Sequence, residues 1–279
     1  MKTVKSFLAK QLNLPSPPAI IQNLQSRIVE ENVNNKDLAE IIEVDPSFTA
    51  RILRLVNSPF YGFKGKIASV EEAITMLGFN TVHQLMLTTS MLNVIEVQNK
   101  TIDLNKFWLH SFGVGIMTKH LLCKANKDIR NEGFMGGILH DIGRMIFIKM
   151  DTNRFISFYT KENRVIDLKS ELEYFNIDHQ ELGKALAQQW NFPDSISTAI
   201  AYHHLPENTK DYRLLASAVN IADMLCHAFN IGDSYSCFVT DFSSTAWKEL
   251  NINMDELEVI LKQALIEIDK SKHLMSMSN

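Results

Sequence analysis

Several features that define other classes of protein are missing from this 279-residue sequence. No hydrophobic run reaches the roughly 18 residues that a membrane-spanning helix needs. Residues 1–8 (MKTVKSFL) lack the apolar core and cleavage site of a signal peptide. The three cysteines are an odd number without metal-ligand spacing, which argues against a disulfide framework and against a cysteine zinc motif. We therefore expect reduced thiols in a cytoplasmic protein that does not bind membranes.

An excess of positive charge is also absent. The chain has 28 basic and 32 acidic residues and a net charge of −4, so no overall basic field is available to attract nucleic acid. Hydrophobic residues make up 46% and charged residues 22%, which is typical of a globular protein with a sizeable core. We expect no nucleic-acid partner.

Helix signals occur along the whole chain, whereas the N-terminal third contains no convincing alternating strand. Asp45-Pro46 supplies an N-cap followed by proline at the first helical position. Ser69 with Glu72 forms a capping-box pattern, and Gly78 ends that helix. Near the C-terminus, Asn253 starts an amphipathic helix that can pack on its own domain or on a partner. These patterns predict an all-α fold.

The most informative stretch is GGILHDIGRMIFI, residues 136–148, where His140 and Asp141 interrupt an apolar run. The run is too long for an ordinary strand and predicts a helix with both polar side chains in its middle. Buried polar groups must be satisfied, so either a metal ion or a hydrogen-bond network has to meet this pair. The other residues that we nominate for that role are His110, His179, His203, His204 and Asp223.

Each of these residues also has a plainer interpretation. His110 can be a satisfied core histidine, and His179 can be a surface residue. His203 and His204 can simply end a helix, where an imidazolium favours the C-terminal dipole. Asp223 can pair with Arg213 or cap a local network. In the first third, Phe60 and Tyr61 can belong either to the core or to an exposed partner-binding surface at residues 57–62.

Ten segments, in this order and spacing, resemble the HDOD (HD-related output domain) family. They are LPSPP (14–18), LAEIIEVDP (38–46), RLVNSPFY (54–61), AITMLG (73–78), WLHS (108–111), GILHDIGR (137–144), DHQELG (178–183), WNFP (190–193), AYHH (201–204) and IAD (221–223). The resemblance covers roughly residues 14 to 228. It implies a helical N-terminal part at 1–100 packed against an HD-like helical part at 101–229, followed by a loop and helix at 230–279.

The resemblance also implies a metal centre like that of HD-superfamily phosphohydrolases, to which HDOD domains are similar in fold. The implied inner ligands are His110, His140, Asp141 and Asp223. The additions found in the HD-GYP branch, which cleaves cyclic dinucleotides, are His179, His203 and His204. One or two divalent ions are implied, without a choice among Fe, Mn, Zn and Ni. The histidines that match no family ligand and that we interpret as surface or packing residues are His83, His120, His227 and His273.

Two departures from the HD-GYP pattern bear on activity. No Gly-Tyr-Pro element follows the paired histidines, and Arg144 stands where those enzymes usually have lysine. Arg144 can contact a phosphate, although arginine and lysine are not interchangeable. Beyond this phosphate contact, we assign no catalytic residue. The resemblance implies a bacterial regulatory protein that binds a signalling partner, or a nucleotide or other phosphate-containing ligand. The alternative is a metal-dependent phosphohydrolase.

Overall fold

The computed structural model describes residues 18–28, 34–57, 61–63, 65–79, 81–83, 85–86, 90, 102–126, 129–159, 167–235 and 243–275. The chain divides into two compact units, one within residues 15–94 and the other within residues 95–279. The described residues of both units form helices and contain no β-strand, which confirms the predicted all-α fold.

The first unit is built from short helices with well-defined ends. They are α1 (Ala19–Ile28), α2 (Asn35–Glu43), α3 (Pro46–Val56) and α4 (Val70–Leu77). Asn34 and Asp37 form a reciprocal capping box at the start of α2. The Ser69 hydroxyl accepts a hydrogen bond from the Glu72 amide, and Gly78, with φ of 81°, ends α4 as predicted.

The connection between α3 and α4 is held by Asn57. Its amide donates to the carbonyls of Leu53 and Ile67, and its carbonyl oxygen accepts from the Ile67 amide at 2.8 Å. The Tyr61 ring is half-buried and stacks on Phe63, whereas Phe60 lies outside the described residues. A partner surface at residues 57–62 therefore stays a prediction.

The second unit carries the candidate site on longer helices. They are α5 (Leu104–Ala125), α6 (Arg130–Leu139), α7 (Ile142–Met150), α8 (Thr152–Tyr159), α9 (Leu168–Phe175), α10 (His179–Gln189), α11 (Asp194–Tyr202), α12 (Arg213–Ala228), α13 (Ser244–Leu250) and α14 (Met254–Met275). A 3-10 turn, Pro206–Asn208, lies between α11 and α12. Among the described helices, none combines the length and the apolar character needed to cross a membrane.

Helix α5 is the central element of this unit, since it packs against α6, α12 and α14. The terminal helix α14 therefore lies on its own unit. Glu267 of α14 accepts hydrogen bonds from Lys119 at 3.0 Å and from His120 at 2.8 Å, both on α5. Asn253 and Glu256 cap the start of α14 reciprocally, as predicted.

One prediction about local structure is wrong: residues 136–148 are not a single helix. Helix α6 ends at Leu139, and α7 begins at Ile142. His140 keeps helical dihedral angles, but Asp141 has φ of −99° and ψ of 14°, in the bridge region. The Arg144 amide then bonds the Asp141 carbonyl, three residues back. The break places His140 and Asp141 at a junction between helices.

Candidate metal centre

The seven nominated side chains converge from five parts of the second unit. His110 lies on α5, and His140 with Asp141 lies between α6 and α7. His179 is the first residue of α10, and His203 with His204 directly follows α11. Asp223 lies on α12. Six of the seven are no more than 3% exposed, and His204 is half-buried.

The donor atoms form three overlapping groups, in each of which all atoms lie within 4.8 Å of one another. The first contains Asp141, His179, His203 and His204; the second contains His110, His140 and Asp141; the third contains His110, Asp223 and His227. Asp141 is shared by the first two groups and His110 by the last two. The polar residues thus form one continuous centre.

Four imidazoles are oriented in the same way. Each turns Nδ1 outward to an oxygen and Nε2 inward to the carboxylates of the centre. The outward contacts are His110 to Ile231 O (3.1 Å), His140 to Gly137 O (2.7 Å), His179 to Glu171 Oε2 (2.6 Å) and His203 to Ile200 O (2.9 Å). An outer oxygen that holds Nδ1–H leaves the Nε2 lone pair free, as metal-binding histidines require.

The inward nitrogens meet groups that cannot satisfy them fully. Nε2 of His110 lies 2.9 Å from Asp223 Oδ1, and Nε2 of His179 lies 3.2 Å from Asp141 Oδ1. Both nitrogens of His110 and of His179 therefore face oxygens that only accept, whereas a neutral imidazole has a single N–H. In addition, the buried Nε2 of His140 and Oδ1 of Asp141 form no hydrogen bond with the described residues. A bound cation would satisfy these atoms.

Arg144 is committed to protein groups. Its Nη1 donates to Asp141 Oδ2 at 2.5 Å and to the Ser234 carbonyl at 2.9 Å. Its Nε lies 3.5 Å from Glu171 Oε1. The side chain is only 4% exposed. Arg144 therefore acts as the buried counter-ion of two carboxylates and leaves Asp141 Oδ1 directed into the centre.

Glu171 of α9 supports the centre from behind. Its carboxylate accepts a hydrogen bond from the Tyr159 hydroxyl at 2.5 Å and one from the His179 amide at 2.8 Å, besides the contact with His179 Nδ1. Burial alone would raise the pKa of Glu171, but His179 and Arg144 outweigh it and bring the pKa to about 2. This ionised carboxylate fixes the ring orientation of His179.

Burial and neighbouring charges shift the pKa values of the residues in the centre in different directions. Burial opposes charge on Asp141, but Arg144 and His140 outweigh it and hold the pKa of Asp141 well below its usual range. Burial also disfavours a charged His140, yet the carboxylates of Asp141 and Asp223 raise its pKa to about 10. Burial lowers the pKa of His203 to about 4.

Close packing between α7 and α10 brings His179 to Asp141. A Cβ atom on Gly143 would lie only 2.0 Å from the backbone carbonyl oxygen of His179. Position 143 therefore requires glycine, because any side chain would push the start of α10 away from the centre. The sequence shows this glycine but not the neighbour that demands it.

The structure decides several of the plainer interpretations. His179 is 1% exposed and is therefore not a surface residue. Its low pKa leaves His203 uncharged near neutral pH, so a stabilising imidazolium does not explain its place at the end of α11. Arg213 donates its Nε to the Thr209 carbonyl, whereas Asp223 faces the imidazoles of the centre. His83, which we interpreted as a surface or packing residue, packs its ring against that of Phe79.

Two members of the centre were missed by the sequence analysis. Glu171 lies in an ordinary acidic helix, and nothing in its local pattern indicates burial. His227 was treated as a surface or packing residue, yet its Nε2 lies 3.3 Å from Asp223 Oδ1. A signal for His227 was available, since it follows Asp223 by four residues and so shares its helix face. The side chain of His273 lies outside the described part of the chain.

The fold and centre define an all-helical protein with a buried histidine–aspartate cluster. The family model of the HDOD domain matches residues 14–206, and the chain belongs to this family. That match covers the resemblance stated from the sequence up to residue 206 and does not include residues 207–228, where Asp223 lies.

Solved structures show the same fold. An HDOD domain protein of unknown function from Geobacter sulfurreducens has a TM-score of 0.75 at 22% identity, covering 97% of this chain and 96% of that chain. A proposed phosphohydrolase from Shewanella amazonensis SB2B has a TM-score of 0.71 at 23% identity, covering 93% of both chains.

An uncharacterized protein of Treponema pallidum (strain Nichols) is 25% identical over 217 residues, which are 76% of this chain. The match covers only 42% of that relative.

Proposed function

We propose that this protein is a regulatory HDOD protein that acts by binding a partner or ligand, and that its histidine–aspartate centre holds one or two divalent metal ions. The observation that carries the metal proposal is the common orientation of four imidazoles, which turn Nε2 toward two carboxylates while outer oxygens hold Nδ1. A purely structural hydrogen-bond network would have no need to place both nitrogens of His110 and of His179 against oxygens that only accept.

The donor set favours a metal of intermediate softness. Six imidazoles and two carboxylates, without a thiolate, suit Fe, Mn, Zn or Ni better than Mg or Ca. Asp141 belongs to two of the donor groups, so its carboxylate can serve two neighbouring ions. Outer oxygens on the opposite side of each ring, such as those of Glu171 and Ile231, are the support that metal-binding histidines need.

Burial favours regulation over catalysis. Asp141 is 1% exposed, and His140 and His203 are 0% exposed, whereas a catalytic metal keeps a position open to substrate. Arg144, the candidate phosphate contact, is already paired with the carboxylates of Asp141 and Glu171. A metal here would stabilise one arrangement of α5, α7, α10 and α12, and so keep a surface for a partner in a defined state.

A groove beside α10 and α11 is where we propose that a ligand or partner segment binds. Its volume is about 420 Å³, within the range of small-ligand sites. Gln180 lines it and also lies 3.4 Å from Nδ1 of His203. Occupancy of the groove would therefore act on the outward side of a centre residue. Asp178 and Glu181 also line it and outnumber Lys184, which favours a polar ligand without a phosphate.

A metal-dependent phosphohydrolase is the second candidate. The observation in its favour is the mixed set of histidines and aspartates around Asp141, together with the resemblance in fold to a proposed phosphohydrolase. A divalent metal would supply an activated water and a Lewis acid there. Asp141 and Asp223 would position it, and the half-buried His204 is the most exposed member of its donor group.

Metal analysis combined with a turnover assay separates the two. Untagged protein is purified, analysed by plasma mass spectrometry, and assayed with bis-p-nitrophenyl phosphate and cyclic dinucleotides after loading with Mn²⁺, Fe²⁺, Zn²⁺ or Ni²⁺. We expect stoichiometric metal that is lost in His140→Ala, and no turnover above the level of that variant. Turnover that disappears in His140→Ala and Asp141→Ala would establish the phosphohydrolase instead.

A further inference from the structure

His227 stands at one end of the centre, beyond the segment that the family model matches. Helix α12 places it one turn after Asp223, and its Nε2 lies 3.3 Å from Asp223 Oδ1. Its ring centroid is 4.6 Å from that of His110, closer than the 5.5 Å between His110 and His140. Its side chain is 13% exposed, whereas those of His110 and Asp223 are almost completely buried.

We propose that His227, together with His110 and Asp223, binds a divalent metal ion at the α12 end of the centre. This inference rests on the proposed metal centre and adds a ligand that neither the family match nor the sequence analysis assigned. The donor atoms of the three residues lie within 4.8 Å of one another. The group at the other end, which contains His179, His203 and His204 with Asp141, shares no residue with this one. The two ends can therefore bind ions separately.

Crowding around one oxygen supports a cation at this end. Asp223 Oδ1 has three imidazole nitrogens around it: Nε2 of His110 at 2.9 Å, of His227 at 3.3 Å and of His140 at 3.6 Å. His110 also directs Nδ1 at the Ile231 carbonyl. An ion among the donors of His110, Asp223 and His227 would take up the His110 lone pair that otherwise faces an acceptor oxygen.

The segment after α12 encloses this end of the centre. Ile231 holds the outward nitrogen of His110, and the buried Ser234 places its Oγ 3.2 Å from His227 Nε2. Gly232 makes the approach possible: its φ is 67°, and a Cβ there would lie 2.3 Å from the His110 backbone nitrogen. The Ser234 oxygen thus lies beside the proposed donor nitrogen of His227, and we take the partial exposure of His227 as the entry path for the ion.

The alternative is that His227 only packs against Asp223 and that metal binding does not involve it. His227→Ala removes the donor, and His227→Gln keeps a side chain that can still hydrogen-bond Asp223 and Ser234 but is a poor ligand. The matched control is His120→Ala on α5, because His120 is also a partly buried histidine paired with one carboxylate, Glu267. Folding of each variant is checked by circular dichroism in EDTA.

The experiment uses the full chain, stripped of metal and then titrated with Mn²⁺, Zn²⁺ or Co²⁺ and followed by calorimetry and by visible absorption for Co²⁺. Both His227 variants should bind one ion fewer per chain, or bind it at least about tenfold more weakly, since even outer-shell losses cost about 10- to 100-fold. His120→Ala should behave as the wild type. His203→Ala should lose the other ion, and the His203, His227 double variant should lose both.

The outcomes separate this inference from the function on which it rests. Wild-type stoichiometry and affinity in a folded His227→Gln and His227→Ala would overturn the role of His227 and leave the metal centre intact. Wild-type protein that binds none of the three ions would overturn the centre itself, and this inference with it.

Discussion

Replacing Arg144 by methionine should destabilise the second unit strongly, because the guanidinium is the counter-ion of two buried carboxylates. Asp141 is 1% and Glu171 is 0% exposed, and both are held ionised in part by Arg144. Methionine fills a similar volume without charge, so the change tests charge rather than packing. The interpretation of Arg144 as a phosphate contact instead predicts a stable protein that has lost a ligand.

The magnitude follows from what remains around each carboxylate. Breaking a buried ion pair costs about 3–5 kcal/mol. Asp141 would still have His140 nearby, and Glu171 would keep His179 and Tyr159. We therefore expect the lower end of that range, about 3 kcal/mol. At about 2–4 °C per kcal/mol for a unit of this size, the melting temperature should fall by about 6–12 °C.

Thermal and urea unfolding in EDTA measure this effect without a contribution from metal. Arg154→Met is the matched control, since Arg154 is exposed on α8 and contacts the rings of Tyr174 and Phe175. Its ring contacts and its hydrogen bond to the Tyr174 carbonyl are exposed to solvent, so the change should cost about 1 kcal/mol. An Arg144→Met variant that unfolds within about 0.5 kcal/mol of the wild type would refute the counter-ion reasoning.

Three further predictions test other parts of the structure. Metal affinity should rise by up to about tenfold per pH unit as the pH approaches about 10 from below, because binding must displace the proton of His140; calorimetry at several pH values would contradict this if affinity stayed flat. Gly143→Ala should cost at least about 1–3 kcal/mol and weaken metal binding, since its Cβ meets the carbonyl of His179; unchanged melting and affinity would oppose it. Glu267→Gln should cost about 1–3 kcal/mol by weakening the bond from Lys119 to α14. The wild-type advantage should shrink as pH falls below the ordinary glutamate value of 4.5, since the pKa of Glu267 is lowered in the fold; an advantage that persists at low pH would refute this.

Much of the helical structure could be predicted from local signals. Capping patterns at Ser69 and Asn253, and glycine at 78, mark real helix ends because those interactions involve residues only three or four apart. The break at Asp141 could not be predicted, because apolar residues continue on both sides and His140 keeps helical angles. Periodicity reports which residues are buried and not where a backbone turns within a buried run.

In the candidate site, too, some residues could be predicted from local sequence and others could not. His110, His140 and Asp223 attracted attention because polar residues in apolar helices need partners, and the structure brings them together. Glu171 has no such signal, since its burial depends on partners from other elements, Arg144 on α7 and His179 on α10. Long-range pairing of this kind cannot be inferred from spacing along one chain.

The most direct test of the metal centre is anomalous diffraction from crystals of the metal-free protein soaked with Mn²⁺ or Zn²⁺. We predict anomalous peaks within bonding distance of Asp141 Oδ1 and His140 Nε2, the buried atoms that have no hydrogen-bond partner among the described residues. Crystals that show no peak there, with both atoms instead hydrogen-bonded to water or protein, would contradict the account.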